Sequence, residues 1–477
     1  MYKAAFLLFS GLFFGQLAHA QVDSTWAASD TLEATITAPF GLRKAGLSTA
    51  IVRRLLPPTA AMAPTGSLVH LFNTVPGVRL EERSPGSYRL NIRGSSLRAP
   101  FGVRNVKVYY NQIPLTDPGG NTYFNQLAAN SFTTIHLHKG PAASLYGAGT
   151  GGLVDIATLS SQPNPGVEAE LSGGSYGLIN LMAGITLGNS SASQKITLAH
   201  TGSQGYRAHT RLQRTTLGYT ARWQQPHGHA LTATVLASHL LYQTPGGLTE
   251  AEYQANPRQA RPRAGTMPGA QEAKAGISQQ NLLAGLSHQW AFSSKLSYHT
   301  VLYGAFARIK NPAIRNLEQR LEPHAGLRTW LQFTDTVGQG AINSLIAGLE
   351  YQLGFFNTQV FANVGGQPGL QQSNTDLRFH TGFAYLQAQR QWRNGWLLQA
   401  GASLNNSQVR ITPLGVVPAS PQQRSYRPLP APRLLLQYQP RNHTTELTIS
   451  RGYSPPTVAE LLPSTGQINT ALQPEQG

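Results

Sequence analysis

No cysteine occurs anywhere in the 477 residues. That excludes disulfides, a thiolate metal site and attachment through a lipidated cysteine. Long apolar runs are almost as scarce. The one sustained run, Ala4 to Phe14, falls short of the roughly 20 residues that a spanning helix needs. With Lys3 before it and Ala18-His19-Ala20 after it, it reads as a secretory signal peptide removed after Ala20, so the mature chain starts at Gln21. Without a later apolar run, residence in a membrane requires a closed barrel, which pairs its own backbone groups strand to strand.

Acidic residues are few: 20 Asp and Glu against 37 Lys and Arg, for a net charge of +17. Such an excess raises nucleic acid as a partner. Here the basic residues are scattered, with no basic helix and no RNA-binding signature, so nucleic acid is not expected. An exported basic barrel instead meets lipopolysaccharide phosphates or anionic ligands. No H-E-x-x-H or Walker A sequence occurs, and pairs such as Ser238-His239 stand without a supporting motif, so neither an enzyme nor a cofactor is expected.

What is present begins with Ser67 to Leu159, where short strands alternate with Gly/Pro turns in the pattern of a small α/β unit. Leu68 to Val75 reads as a short helix ended by Pro76-Gly77, and Tyr88 to Ile92 and Val106 to Tyr110 read as strands. His136 and His138 share one face of a strand. That spacing admits a metal, but no neighbouring carboxylate completes a site, and the plainer reading is two ordinary strand residues.

Past the polar linker after Leu159 the texture changes to alternation. Trp396, Leu398, Ala400, Ala402 and Leu404 fall on one face, and Gln399, Gly401, Ser403 and Asn405 on the other. Ala384, Leu386 and Ala388 oppose Gln387, Gln389 and Gln391 in the same way. The two segments meet at Arg393-Asn394-Gly395, flanked by Trp392 and Trp396, where an aromatic girdle belongs. Short turns such as Gly188 to Ser193, Gln225 to Gly228, Phe292 to Lys295 and Val337 to Gly340 alternate with longer loops at Gln243 to Ser278, Lys310 to Leu327, Phe356 to Arg378 and Ile411 to Ala431. A transmembrane barrel has that asymmetry. The first long loop carries Arg258, Arg261 and Arg263, which suit an anionic ligand, lipopolysaccharide, or plain solvation, and its Gly/Pro content suggests mobility.

The residues Val75 to Val78, Asn91 to Gly94 and Lys139 to Ile156 resemble, in order and spacing, the plug of TonB-dependent outer-membrane receptors. The motif positions are Pro76, Gly77, Arg93, Gly94, Lys139, Gly140, Pro141, Tyr146, Gly147, Gly151 and Gly152. Arg451 to Gly477 is similar to a mid-barrel segment of the ferric-chelate branch. The resemblance implies a mainly β protein, a transmembrane antiparallel barrel with an N-terminal α/β plug in its lumen. The divisions that follow are a signal peptide at 1–20, an extension at 21–63, a plug at 64–160 and a barrel at 166–477.

Within the extension, Asp30, Thr31, Leu32, Glu33, Ala34, Thr35, Ile36 and Thr37 resemble the box that adds as a strand to TonB, and the implied partner is the TonB-ExbB-ExbD complex. The resemblance also places two plug loops facing outward against the ligand. They carry Arg98 and Arg104, then Asp117, Asn121 and Tyr123. A guanidinium fork suits an anionic ferric chelate and equally suits a barrel-wall acid, so each arginine keeps both readings. The implied function is energised import across the outer membrane of a Gram-negative bacterium, with a ferric siderophore or a ferric citrate-like chelate as ligand. Vitamin B12, another metal chelate or an oligosaccharide stay open, because fold does not fix substrate.

About thirteen strands are expected from Val167 onward, an odd number that leaves an edge near Thr445 to Ile449 and suggests a fragment or truncated product. A passive porin, an adhesin barrel, or a truncated chain without a function of its own are the competing readings. A plug-sized domain ahead of the barrel argues against a passive pore.

Overall fold

The computed structural model describes residues 52–55, 67–84, 87–96, 102–128, 131–147, 149–160, 163–338, 340–415, 420–440, 443–461, 469 and 471–477. The signal peptide, the segment Asp30 to Thr37 and Arg98 lie outside the described residues.

Residue alternation builds the wall. From Gly166–Gly174 to Thr445–Ser450, 14 strands pair antiparallel into one sheet. Two of them, Asn316–Leu321 and His324–Val337, both lie between Leu296–Pro312 and Ala341–Val364, so they are halves of one strand position broken at Glu322-Pro323. Proline has no N–H to give the ladder, which accounts for the break. Along Trp396–Pro413, Ser403 and Asn405 are each 2% exposed while Leu404 between them is 54% exposed. Polar residues therefore face the lumen and apolar residues face lipid, as a membrane barrel requires. No described helix is long and apolar enough to cross a membrane.

Three of the expected long loops are shorter than their composition suggested. Ala341–Val364 and Gln367–Gln391 form one long hairpin that closes at Gly365-Gly366, inside what read as a loop from Phe356 to Arg378. Strand pairing likewise invades Lys310 to Leu327 and Ile411 to Ala431. These extensions are polar on both faces, as in Asn357-Thr358-Gln359 against Asn374-Thr375-Asp376, so no hydrophobic period marks them. Gly166–Gly174 and Thr445–Ser450 each have one sheet neighbour among the described residues, leaving Val167, Leu171, Leu447 and Ile449 exposed.

Inside the wall sits a five-stranded mixed sheet in the order Val52–Leu55, Thr134–Lys139, Gly152–Ala157, Val106–Tyr110, Ile113–Pro114. The hairpin Val78–Ser84/Ser87–Ile92 and the helix Val69–Asn73 pack on it. Leu80, Leu90, Val108, Ile135, Leu137, Leu153 and Ile156 make its core, which runs on without a break into wall residues Leu236, Leu283, Val301 and Trp330. One apolar cluster therefore serves plug and wall together.

The motif residues are places of close backbone approach. Arg93 donates its N–H to the Gly77 carbonyl, the Lys139 ammonium donates to the Pro76 carbonyl at 3.1 Å, and Gly94 and Gly140 turn the chain at positive φ. A Cβ on Gly151 would lie 2.6 Å from Ser95, and Pro141 sits against Gly452. Gly152 is the most constrained: its φ is +139° and a Cβ there would lie 2.1 Å from the His138 carbonyl oxygen. Gly152→Ala should therefore cost about 3 kcal/mol or more in plug stability. Protease cleavage confined to plug residues, with the barrel intact, is the expected readout; a plug as resistant as the parent's would contradict this geometry.

Candidate functional site

The outward end of the plug is built from two loops joined by a single bridge, Val103 with Thr122. In the second loop Thr116 and Thr122 share a hydrogen bond of 2.8 Å, and the Thr116 hydroxyl accepts from the Val108 N–H at 2.9 Å. The turn itself is fixed by Asp117, whose Oδ1 accepts the Asn121 N–H at 3.0 Å. Gly120 completes the turn at φ +84°.

Of the residues expected here, Arg104, Asp117, Asn121 and Tyr123 do come together, and the wall and the segment that follows its last strand supply partners that the sequence did not reveal. Tyr123 donates to Glu322 at 2.5 Å, and Arg320 stands 3.6 Å from the same carboxylate. Arg104 donates to the Thr457 hydroxyl at 2.9 Å, and Thr457 in turn donates to Glu460. Thr381 donates to the Pro118 carbonyl, and Phe356 and Phe379 flank Gly119. Asp117 Oδ2 is buried with no hydrogen-bond partner. Burial first, and the nearby Glu322 carboxylate second, push the Asp117 carboxyl up to about 7. A cavity of about 60 Å³ lies beside it, lined by Lys107, Asp117, Tyr453 and Thr457.

Arg258, Arg261 and Arg263 do not join this cluster; their neighbours belong to the outer loops. Arg258 lies over the Tyr206 ring at 5.2 Å, Arg263 pairs with Glu272, and Arg261 packs against Gly246. The loop holding them is ordered by backbone bonds and by Asn363, which donates to the Ala273 carbonyl. The expected mobility is thus replaced by a knitted surface, in which buried Ala260, Ala270 and Ala275 form a small apolar centre.

Deeper, where plug meets wall, Arg328 and Glu350 form an ion pair of 2.9 Å with side chains only 1% and 2% exposed. The plug completes it: Tyr109 donates to Glu350 at 2.8 Å, and Arg328 donates to the Leu145 carbonyl at 3.0 Å. The guanidinium carbon lies 4.9 to 5.6 Å from the ring centroids of Tyr109, Tyr146, Trp330 and Tyr385. Tyr146 of the plug motif is therefore part of a cation cage. Next to it Gly147 is obligatory, since a Cβ would lie 2.6 Å from Phe383. Sequence reasoning passed over Arg328 and Glu350. The available signal was a charge of each sign at inward positions of neighbouring strands whose other buried inward residues are uncharged, such as Trp330 and Gln332 on one and Ser344, Ile346 and Gln352 on the other.

His136 faces Asp155 in strand register, and His138 lies 6.4 Å from the Tyr146 ring. Among the described residues no group of three or more His, Cys, Asp or Glu is arranged to hold a metal. Gly173-Gly174-Ser175-Tyr176-Gly177 matches the spacing G-x-S-x-G, but it forms the exposed turn between two antiparallel strands. A nucleophile elbow requires a strand-to-helix turn.

Two family models match this chain: the TonB-dependent receptor plug domain over residues 59–154, and the TonB-dependent receptor-like β-barrel over residues 199–477. The chain belongs to the TonB-dependent receptor family. Among solved structures it is similar to the ferric citrate transporter FecA in unliganded form, with a TM-score of 0.75 and 16% identity over 89% of this chain and 66% of that one. The ferric yersiniabactin uptake receptor FyuA from Yersinia pestis gives 0.68 and 13%, over 87% and 66%. The copper transporter OprC gives 0.67 and 15%, over 90% and 68%. The chain thus spans about two thirds of the length of each, 66% for the first two. At these identities the likeness concerns the fold: a plug inside an outer-membrane barrel, in a family of transport receptors.

Two outcomes follow for the receptor's interior. Glu350→Ala strands a buried guanidinium and should lower plug stability by about 3–5 kcal/mol, whereas the double change Arg328→Met with Glu350→Leu should recover most of it. Calorimetric unfolding in detergent measures both, and a single variant as stable as the parent refutes the lock. For Asp117, a carboxyl raised on folding favours the folded apex most below its unfolded value, and that support is lost as pH climbs through about 7. Hydrogen exchange at 118–124 should therefore speed up in the parent between about pH 5 and about pH 8, beyond the intrinsic rate, and less so in Asp117→Asn. Identical pH profiles would exclude Asp117 as the cause.

Proposed function

We propose that this receptor imports an anionic metal chelate, of the ferric siderophore or ferric citrate type, across the outer membrane with energy supplied through TonB. The observation that carries this reading is the fastened plug. Its core is continuous with the wall, and the Arg328–Glu350 pair is completed by plug groups, so no ligand passes until those contacts are broken. Separating a buried ion pair from its hydrogen-bond partners costs several kcal/mol, more than weak ligand contacts return. Work drawn from outside the barrel meets that requirement.

The ligand class rests on the apex and on the neighbours. Arg104, Arg320 and the half-buried Asn121 and Tyr123 offer donors at the outward end of the plug, suited to carboxylate or hydroxamate oxygens. FecA and FyuA are described by their ferric ligands, and OprC by copper, so a metal is common to all three. In this reading a ligand that draws Arg104 toward itself takes it from Thr457, which loosens the apex from the segment that follows the last wall strand.

The coupling segment is assigned to Asp30–Thr37. Deleting it from the natural full-length receptor should abolish uptake of radiolabelled ferric citrate or ferric siderophore while leaving binding to whole cells intact. Uptake at the parent's rate would overturn energised import through this box. Loss of binding as well would point to a folding role for the segment.

A further inference from the structure

On the periplasmic side of the Arg328–Glu350 pair, plug and wall part. A cavity of about 730 Å³ lies there between the plug sheet and five neighbouring wall strands, from Leu212–Gln225 to His324–Val337. Ser293, Ser294 and Lys295 at one end of it belong to a short turn, and short turns mark the periplasmic end of such a barrel. At the other end stand Val301, the register partner of Arg328, and Trp330, whose ring centroid lies 5.6 Å from the Arg328 guanidinium carbon. Trp330 also stacks at 4.5 Å on His299, another lining residue. The cavity therefore starts where the buried pair ends.

Among the described residues that line it, one fixed charge stands unanswered. Lys295 pairs with Asp335 at 2.8 Å. Asp155, the one carboxylate among these lining residues, is raised to about 6 by burial and drawn back by the Arg328 guanidinium. Arg222 points inward with Thr216 and Thr220, which are buried on the same face of its strand. No described carboxylate lies within ion-pair distance of it; with the Gln224 amide turned to satisfy both groups, a neutral oxygen accepts from Arg222 at 2.8 Å. Arg222, Thr232 and Ser287 are successive register partners on three strands, so about 10 Å separates the outer two across the sheet.

We propose that this cavity is a second, periplasm-facing site for an oxygen-rich anionic chelate of the ferric citrate class, with a carboxylate on Arg222 and further oxygens on the Thr232 and Ser287 hydroxyls. A guanidinium without an acid partner binds a carboxylate through two parallel hydrogen bonds. The volume falls within the range of small-molecule sites, and neutral donors such as Gln289 and Gln332 complete a polar lining. Cargo that passes the buried pair meets this site next, on its way to the periplasm. The assignment rests on the reading that an anionic chelate is imported, but its test needs neither TonB nor uptake, so a failure here and a failure of energised import are told apart.

The chain has no cysteine, so Ser287→Cys in the full-length receptor puts a reporter thiol on the cavity wall. Peptide masses followed over time in mild detergent give its rate of modification by an anionic and by a cationic methanethiosulfonate, each divided by the rate for free cysteine. The anionic reagent should be favoured about tenfold, and adding Arg222→Gln should remove that preference. Millimolar ferric citrate should slow the modification about tenfold, and Arg222→Gln should abolish this protection. Unheated electrophoretic migration verifies that each barrel is folded. Equal normalised rates for the two reagents with Ser287→Cys alone, no slowing by ferric citrate, or slowing that survives Arg222→Gln would each overturn the proposal.

Discussion

A charge taken out of water must find its partner inside the protein, and the Arg328–Glu350 pair shows what that demands of a barrel. The two side chains come from neighbouring wall strands, yet the wall alone does not complete them. The Tyr109 hydroxyl and the Leu145 carbonyl of the plug fill the remaining hydrogen-bond positions, and two of the four rings around the guanidinium are plug tyrosines. Plug and wall are therefore satisfied only together. Desolvation makes an incomplete pair far more costly than no pair at all, so the plug is held in register by a penalty for leaving as much as by attraction.

The outward end works differently. There single hydrogen bonds join half-buried plug groups to buried partners, Arg104 to Thr457 and Tyr123 to Glu322. The strong fastening lies deep and the lighter one lies at the surface.

One strand often serves two environments through alternation alone. Along Gln367–Gln391, Phe379 and Phe383 face the plug, while Arg378 and His380, on either side of Phe379, face away from it. A shift of one residue in register would bury Arg378 against the plug and expose the phenylalanines. The same pairing that seals the lumen thus sets which charges face away from it. Gly382 contributes to that pairing, since a Cβ there would strike Tyr351.

Much of this protein was legible in its residues. Period-two alternation around Trp396 to Asn405 gave the faces of the wall, the lack of a long apolar run left strands as the way across a membrane, and Lys139 to Ile156 resembled the plug motif, whose close approaches at Gly147 and Gly152 appear only in the structure. Polar hairpin ends such as Asn357 to Asp376 were not legible, because a strand wet on both faces has no hydrophobic period. Nor were the partners of Arg104, Tyr123 and Arg328. Those partners are Thr457, Glu322 and Glu350, and sequence separation carries no information about which inward-facing side chains meet across a filled lumen. The sequence by itself determined the kind of element each segment forms and which face is wet. Only the tertiary structure decided which charge answers which, because pairing in the lumen depends on strand register and plug placement in space.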